Sequence, residues 1–143
     1  MKSRISSKKE LEKNSTLRFN GLLAFHNNKL FELVNQDYGY PVEMLIKKII
    51  CEKKGVHSYP PNKENDCREE KYKKHDLNKL IELANLKSKA NNLRIKNPEF
   101  NKAWIKVSSW DVNNRYKIVG FDEGTSADFI KAVQMVREEV MTW

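Results

Sequence analysis

One run of this chain leaves little freedom of fold. From Leu30 onward the apolar residues Val34, Tyr38, Val42, Leu45, Ile46, Ile49 and Ile50 recur at intervals of three and four, so they line one side of a helix from the late twenties to about Lys54. Gly39 and Pro41 weaken helix propensity within the run but do not shift its phase. Proline removes a backbone donor and crowds the carbonyl four residues earlier. The expectation is therefore a long second helix kinked near Pro41, or two short coaxial rods, and not a strand. Gly55 then closes it as a C-cap.

A stripe of that length needs other apolar faces to cover it. Leu11, Leu17, Phe19, Leu22, Leu23 and Phe25/His26 predict a first helix, preceded by a frayed basic lead over Met1 to Ser7. In the stretch from Tyr72 to Leu86, Asp76 is a good N-cap, because its carboxylate can accept the unpaired amides of a first turn. Leu77, Leu80, Ile81 and Leu83/Ala84 then share one face. His75 would sit just outside that helix, near its positive end. Pro98 suits the first turn of a further helix carrying Phe100, Trp104, Val107 and Trp110 as core aromatics and aliphatics. Thr125-Ser126-Ala127-Asp128 resembles a capping box opening a last helix with Phe129, Ile130, Val133, Val136 and Val140. Between these, residues 56 to 74 read as a polar surface loop with Pro60-Pro61, too poor in apolar residues to add a core element. Residues 111 to 124 are irregular, with Tyr116 to Phe121 the one stretch that could alternate as a strand. The sum is an all-α bundle of about five helices.

Length and charge bound what such a bundle could do. The 143 residues suit one domain spanning 1–143. A net charge of +8 favours a polyanionic partner such as RNA, DNA or nucleotide phosphates. Lysines are spread through every segment, a scatter that favours reading the same charge as a merely solvated, soluble surface over a true nucleic-acid face. No apolar run approaches the length of a membrane span, and the basic N-terminus lacks the apolar core of a secretory signal, so a cytoplasmic protein is expected. Cys51 and Cys67 are then reduced thiols rather than a disulfide. A zinc site from Cys51, His57, Cys67 and His75 would lack any tight ligand pair, and neither metal nor cofactor is expected.

Four segments in order carry a resemblance: Asp37-Tyr38-Gly39-Tyr40-Pro41-Val42-Glu43-Met44-Leu45-Ile46-Lys47, then Tyr59-Pro60-Pro61, then His75-Asp76-Leu77-Asn78-Lys79-Leu80-Ile81-Glu82-Leu83-Ala84, then Trp110 with Arg115-Tyr116. Together they resemble a bacterial branch of the HEPN (higher eukaryotes and prokaryotes nucleotide-binding) domains, over roughly Leu22 to Val140. The resemblance implies an up-and-down helical bundle, frequent homodimerisation, and partnership with nucleic acid or nucleotidyltransferase proteins in toxin–antitoxin and defence systems. Catalytic members are metal-independent ribonucleases that use an arginine followed, after roughly four to six residues, by a histidine. Imidazole can move a proton at the ribose 2′-hydroxyl or the leaving oxygen, and guanidinium can neutralise the phosphate in flight.

Arg68, six intervening residues and His75 match that spacing, with Lys71, Lys73 and Lys74 as further phosphate attractors in the same loop. His75 is the last histidine, so Arg94, Arg115 and Arg137 complete no later pair. The other reading has His75 capping or packing beside the Asp76 helix. Glu43 is open to an internal ion pair with Arg115 or Lys47, or to lining a polar ligand cleft. Arg115 and Tyr116 could touch a phosphate or base, or clamp their loop to the bundle. His26 misses the nuclease spacing from Arg18 and reads as interfacial or surface. His57 is a loop residue, and Trp143 is exposed or tucked into a dimer contact.

Three functions fit these residues. The first is a noncatalytic HEPN-like module binding nucleic acid, nucleotide or a nucleotidyltransferase partner, as a homodimer. The second is a metal-independent endoribonuclease toxin using Arg68 and His75. The third is an antitoxin or assembly subunit acting only through protein contact.

Overall fold

A computed structural model describes residues 6–61, 72 and 74–143; Cys67, Arg68, Lys71 and Lys73 lie outside the described residues. The fold is all-α: α1 (Lys8–Asn27), α2 (Phe31–Asp37), α3 (Tyr40–Lys54), α4 (Leu77–Leu83), α5 (Lys87–Lys96), α6 (Pro98–Ser108) and α7 (Glu123–Val140), with a 3₁₀ turn at Val112–Tyr116. Strand is confined, among the described residues, to one antiparallel pairing of β1 (Ser6–Ser7) with β2 (Ser58–Tyr59).

The stripe from Leu30 to Ile50 becomes two helices that keep one phase. Tyr38 (φ −63, ψ −20) and Gly39 (φ −83, ψ −22) both stay in the right-handed region, so the chain steps from α2 to α3 without rotating its apolar side. Pro41 falls in the first turn of α3, where the missing amide has no helical acceptor to lose. Val34, Tyr38, Val42, Leu45, Ile46, Ile49 and Ile50 are all buried, each contributing roughly 1.5–3 kcal/mol of transfer free energy. Leu30 departs from the pattern at 49% exposed, because it precedes α2 next to the left-handed turn at Lys29 (φ 60).

Around this spine, α1 lies along α3, α7 packs on α6, and α1, α2 and α3 each also meet α7. A three-helix junction is fastened by polar groups. Ser15 Oγ donates to the Pro41 carbonyl at 2.7 Å, while Arg137 donates through Nε to Ser15 Oγ (3.1 Å) and through Nη2 to Thr16 Oγ1 (2.7 Å). On α1, Leu11 and Leu22 are buried, but Leu17 and Leu23 face solvent and Ser15 takes a core position instead.

Several local expectations are corrected. Ser7 is no frayed residue: it caps α1 in a reciprocal box with Glu10, its hydroxyl accepting the Glu10 amide and its own amide donating to Glu10 Oε1. The described residues between α3 and α4 do reach the core, since Tyr59, Pro60, Pro61 and Tyr72 are buried and the Tyr59 hydroxyl donates to the Tyr72 carbonyl. Helix α5 was not anticipated: Asn85 (φ 57) breaks the chain after α4, and α5 buries only Ala90, too thin a stripe to read from spacing. The last helix starts earlier than Thr125, because Asp122 Oδ1 accepts the Thr125 amide at 2.7 Å, and Ser126 is buried against His26. Tyr116 to Phe121 form no strand. The Val119 and Phe121 amides donate to the Glu32 carboxylate rather than to a neighbouring strand.

Candidate functional site

The site forms where α4 docks on α3. Asp76 accepts the Asn78 and Lys79 amides through Oδ1 at 3.0 and 3.3 Å, as its cap position predicts. Leu77, fully buried one residue on, pins the start of α4 to the core. His75 is thereby delivered over α3, and its Nδ1 stands 2.6 Å from Glu43 Oε1.

Glu43 occupies a core position on α3 at 1% exposure, amid Val42, Ile46 and Leu45. A buried carboxylate is tolerated only when its oxygens are satisfied. Both are: His75 holds Oε1, and Lys47, one turn along α3, holds Oε2 with Nζ at 3.4 Å. In the tautomer that donates from Nδ1 of His75 to this carboxylate, Nε2 is left facing away from Glu43 with a free lone pair. The His75 side chain is 43% exposed. It opens into a cleft of about 330 Å³ that Lys74, Lys79 and Trp110 also line. The two acids at this cleft, Asp76 and Asp111, already accept backbone amides as caps.

Trp110 forms the wall. Its ring lies edge-on to His75 (centroids 6.4 Å, 85° between planes) and to Tyr40 (4.7 Å, 65°), and its Nε1 donates to the Gln36 carbonyl at 2.9 Å. On Tyr40 rests the guanidinium of Arg18, 4.6 Å from the ring centroid. Burial raises the Tyr40 hydroxyl above its usual range; the charges of Glu43 and Asp37 add to this, and those of Arg18 and Arg115 oppose it.

The residues singled out from sequence are thus partly united. His75 and Lys74 line one cleft, Glu43 is buried behind His75, and Arg115 lies within electrostatic reach of Tyr40. Glu43 pairs with Lys47 and His75, not with Arg115. Arg115 stacks on Tyr116 (4.8 Å), and both are exposed. Arg68, Lys71 and Lys73 lie outside the described residues. His26 is engaged with Ser126 Oγ at 2.8 Å, the His57 carbonyl accepts from the Lys8 amide, and Trp143 packs on Phe100. Cys51 is buried, which pushes its thiol up to about 11. Among the described residues no three His, Cys, Asp or Glu side chains cluster as a metal site would require. Sequence reading missed Arg18 and Tyr40 as neighbours of the site, since nothing local links a residue of α1 to one of α3.

In comparisons with known proteins, the chain matches no family model, no curated protein and no solved structure.

Proposed function

We propose that this chain is an HEPN-like helical module that holds single-stranded RNA or a nucleotide by its phosphates at the cleft beside His75. The observation that carries this reading is an imidazole oriented by a buried carboxylate at the mouth of a cleft lined by Lys74 and Lys79. Cations positioned by a rigid frame recognise phosphates without base-specific contacts. The up-and-down arrangement, homodimerisation, a nucleotidyltransferase partner and a role in toxin–antitoxin or defence systems are parts of the proposal that rest on the resemblance alone. Fluorescence anisotropy of a labelled single-stranded RNA in chelator tests it. Affinity should fall steeply as salt rises, and Lys74→Gln with Lys79→Gln should weaken it. Absence of binding at low salt would overturn the reading.

A second reading, metal-independent ribonuclease, is favoured by the 2.6 Å Glu43–His75 contact, since a carboxylate on Nδ1 sets the tautomer in which Nε2 can act as a base. Nε2 would take the 2′-hydroxyl proton as the 2′-oxygen attacks phosphorus. The bond to the 5′-oxygen then breaks, that oxygen takes a proton from the imidazolium or from water, and a 2′,3′-cyclic phosphate remains. Lys74, or Arg68, would stabilise the phosphate charge. RNA cleaved in chelator by the native chain and left intact by folded His75→Gln would establish it; intact RNA with the native chain would sink it.

A further inference from the structure

Trp110, buried in the wall of the cleft, begins a series of ring contacts that leads away from it. His75 meets Trp110, Trp110 meets Tyr40, and Tyr40 carries the Arg18 guanidinium on its face. Arg18 comes from α1, whereas Tyr40 opens α3 and Trp110 follows α6, so three separate parts of the chain build this path. Resting on the reading of the His75 cleft as an RNA site, we propose that a single strand seated there runs on across Tyr40 and that Arg18 binds a further phosphate of it, with Arg115 flanking.

Arg18 is exposed and makes no hydrogen bond or salt bridge within the described residues. Stacking on Tyr40 holds the guanidinium plane in place and leaves its N–H fork available, the form in which arginine recognises phosphate best. Asp37 feels its charge: burial raises that carboxyl, an effect that Arg18 opposes. A phosphate at Arg18 therefore competes with a partly buried carboxyl and not with a formed ion pair. A guanidinium that only shielded the Tyr40 ring would have no effect on salt-dependent RNA binding.

That difference decides the test. Anisotropy of a labelled uridine dodecamer would be followed against salt for the native chain, Arg18→Gln, Arg18→Lys and Lys102→Gln, the last lying on the exposed α6–α7 face. The slope of log affinity on log salt should drop by about 0.7 in Arg18→Gln, the contribution of one phosphate on a single strand. Lys102→Gln should leave it unchanged, and Arg18→Lys, which keeps the charge, should retain most of the native slope. Uridine monophosphate, too short to reach Arg18, should bind the native chain and Arg18→Gln alike. If the native chain binds the dodecamer and Arg18→Gln behaves as Lys102→Gln does, this inference fails and the cleft reading survives. If the native chain binds neither ligand, both fail.

Discussion

The indole of Trp110 fills the space that a side chain on Gly39 would need: an ideal Cβ there would stand 2.0 Å from Trp110 Cδ2. The backbone of Gly39 is ordinary right-handed helix, so glycine is required at this point for space and not for conformation. The break between α2 and α3 is thus shaped around the wall of the cleft. Gly39→Ala should cost about 1–3 kcal/mol in urea unfolding, the usual range for forcing extra volume into a packed site. Trp110→Leu in the same chain should recover part of that loss. An unchanged midpoint in Gly39→Ala would show that the two residues do not constrain each other.

Removing His75 should reveal what it does for Glu43. His75→Ala strips Oε1 of a buried carboxylate of its nearest donor and leaves only Lys47 at 3.4 Å. Because the imidazole is partly exposed, the loss should be about 1–3 kcal/mol, within the range for an unsatisfied buried group. Glu43→Gln introduced into that background should restore part of it. Independent, additive effects of the two substitutions would contradict the pairing.

Two aspartates should respond to pH in opposite senses. Asp122 is held below its ordinary 3.8, first by the Thr125 amide and then by the Thr125 hydroxyl. Its contribution is therefore present above the ordinary value and disappears as pH falls through the lowered one. Asp37 is raised by burial, against the opposing charge of Arg18, so the fold favours its neutral form. Stability is fully present below 3.8 and declines as pH rises through the raised value. Thermal midpoints across acid pH should show Asp122→Asn losing its disadvantage toward low pH. Asp37→Asn should gain an advantage toward neutral pH, larger when combined with Arg18→Gln.

Burial should silence the Cys51 thiol. With its pKa pushed up to about 11 and its sulfur in the core, Cys51 should resist iodoacetamide at pH 8 in the native chain and react in guanidinium. Peptide mapping of the alkylated product reads this directly. Fast native labelling at Cys51 would mean that α3 opens far more readily than its packing implies.

Spacing made the helices with thick apolar stripes legible. Val34 to Ile50, Phe100 to Val107 and Ile130 to Val140 all went to the core, and Asp76 capped as its side chain demands. Thin or mixed stripes were not legible. Helix α5 buries little, Leu17 and Leu23 on α1 face outward, and Ser15 is buried only because Pro41 and Arg137 arrive from distant segments to satisfy it. The site shows the same division. The position of His75 before a helix was readable from Asp76, and Glu43 was visible as an acid amid apolar residues. Their pairing depends on how α4 docks, which no local pattern records. The Gly39–Trp110 approach and the Arg18–Tyr40 stack likewise join residues far apart in sequence.

The reach of Arg137 back to Ser15 and Thr16 has a consequence for how the chain is made. On the ribosome, the first helices emerge long before the segment that supplies this guanidinium and the valines beside it. Until α7 arrives, the nascent bundle must expose a greasy trough with a serine at its floor, the kind of surface that chaperones seize and that aggregates when left bare. Vectorial synthesis therefore delays closure of this bundle until α7 has been made. A stalled product ending before α7 should partition with chaperones or into the pellet, while release of the last helix should free it.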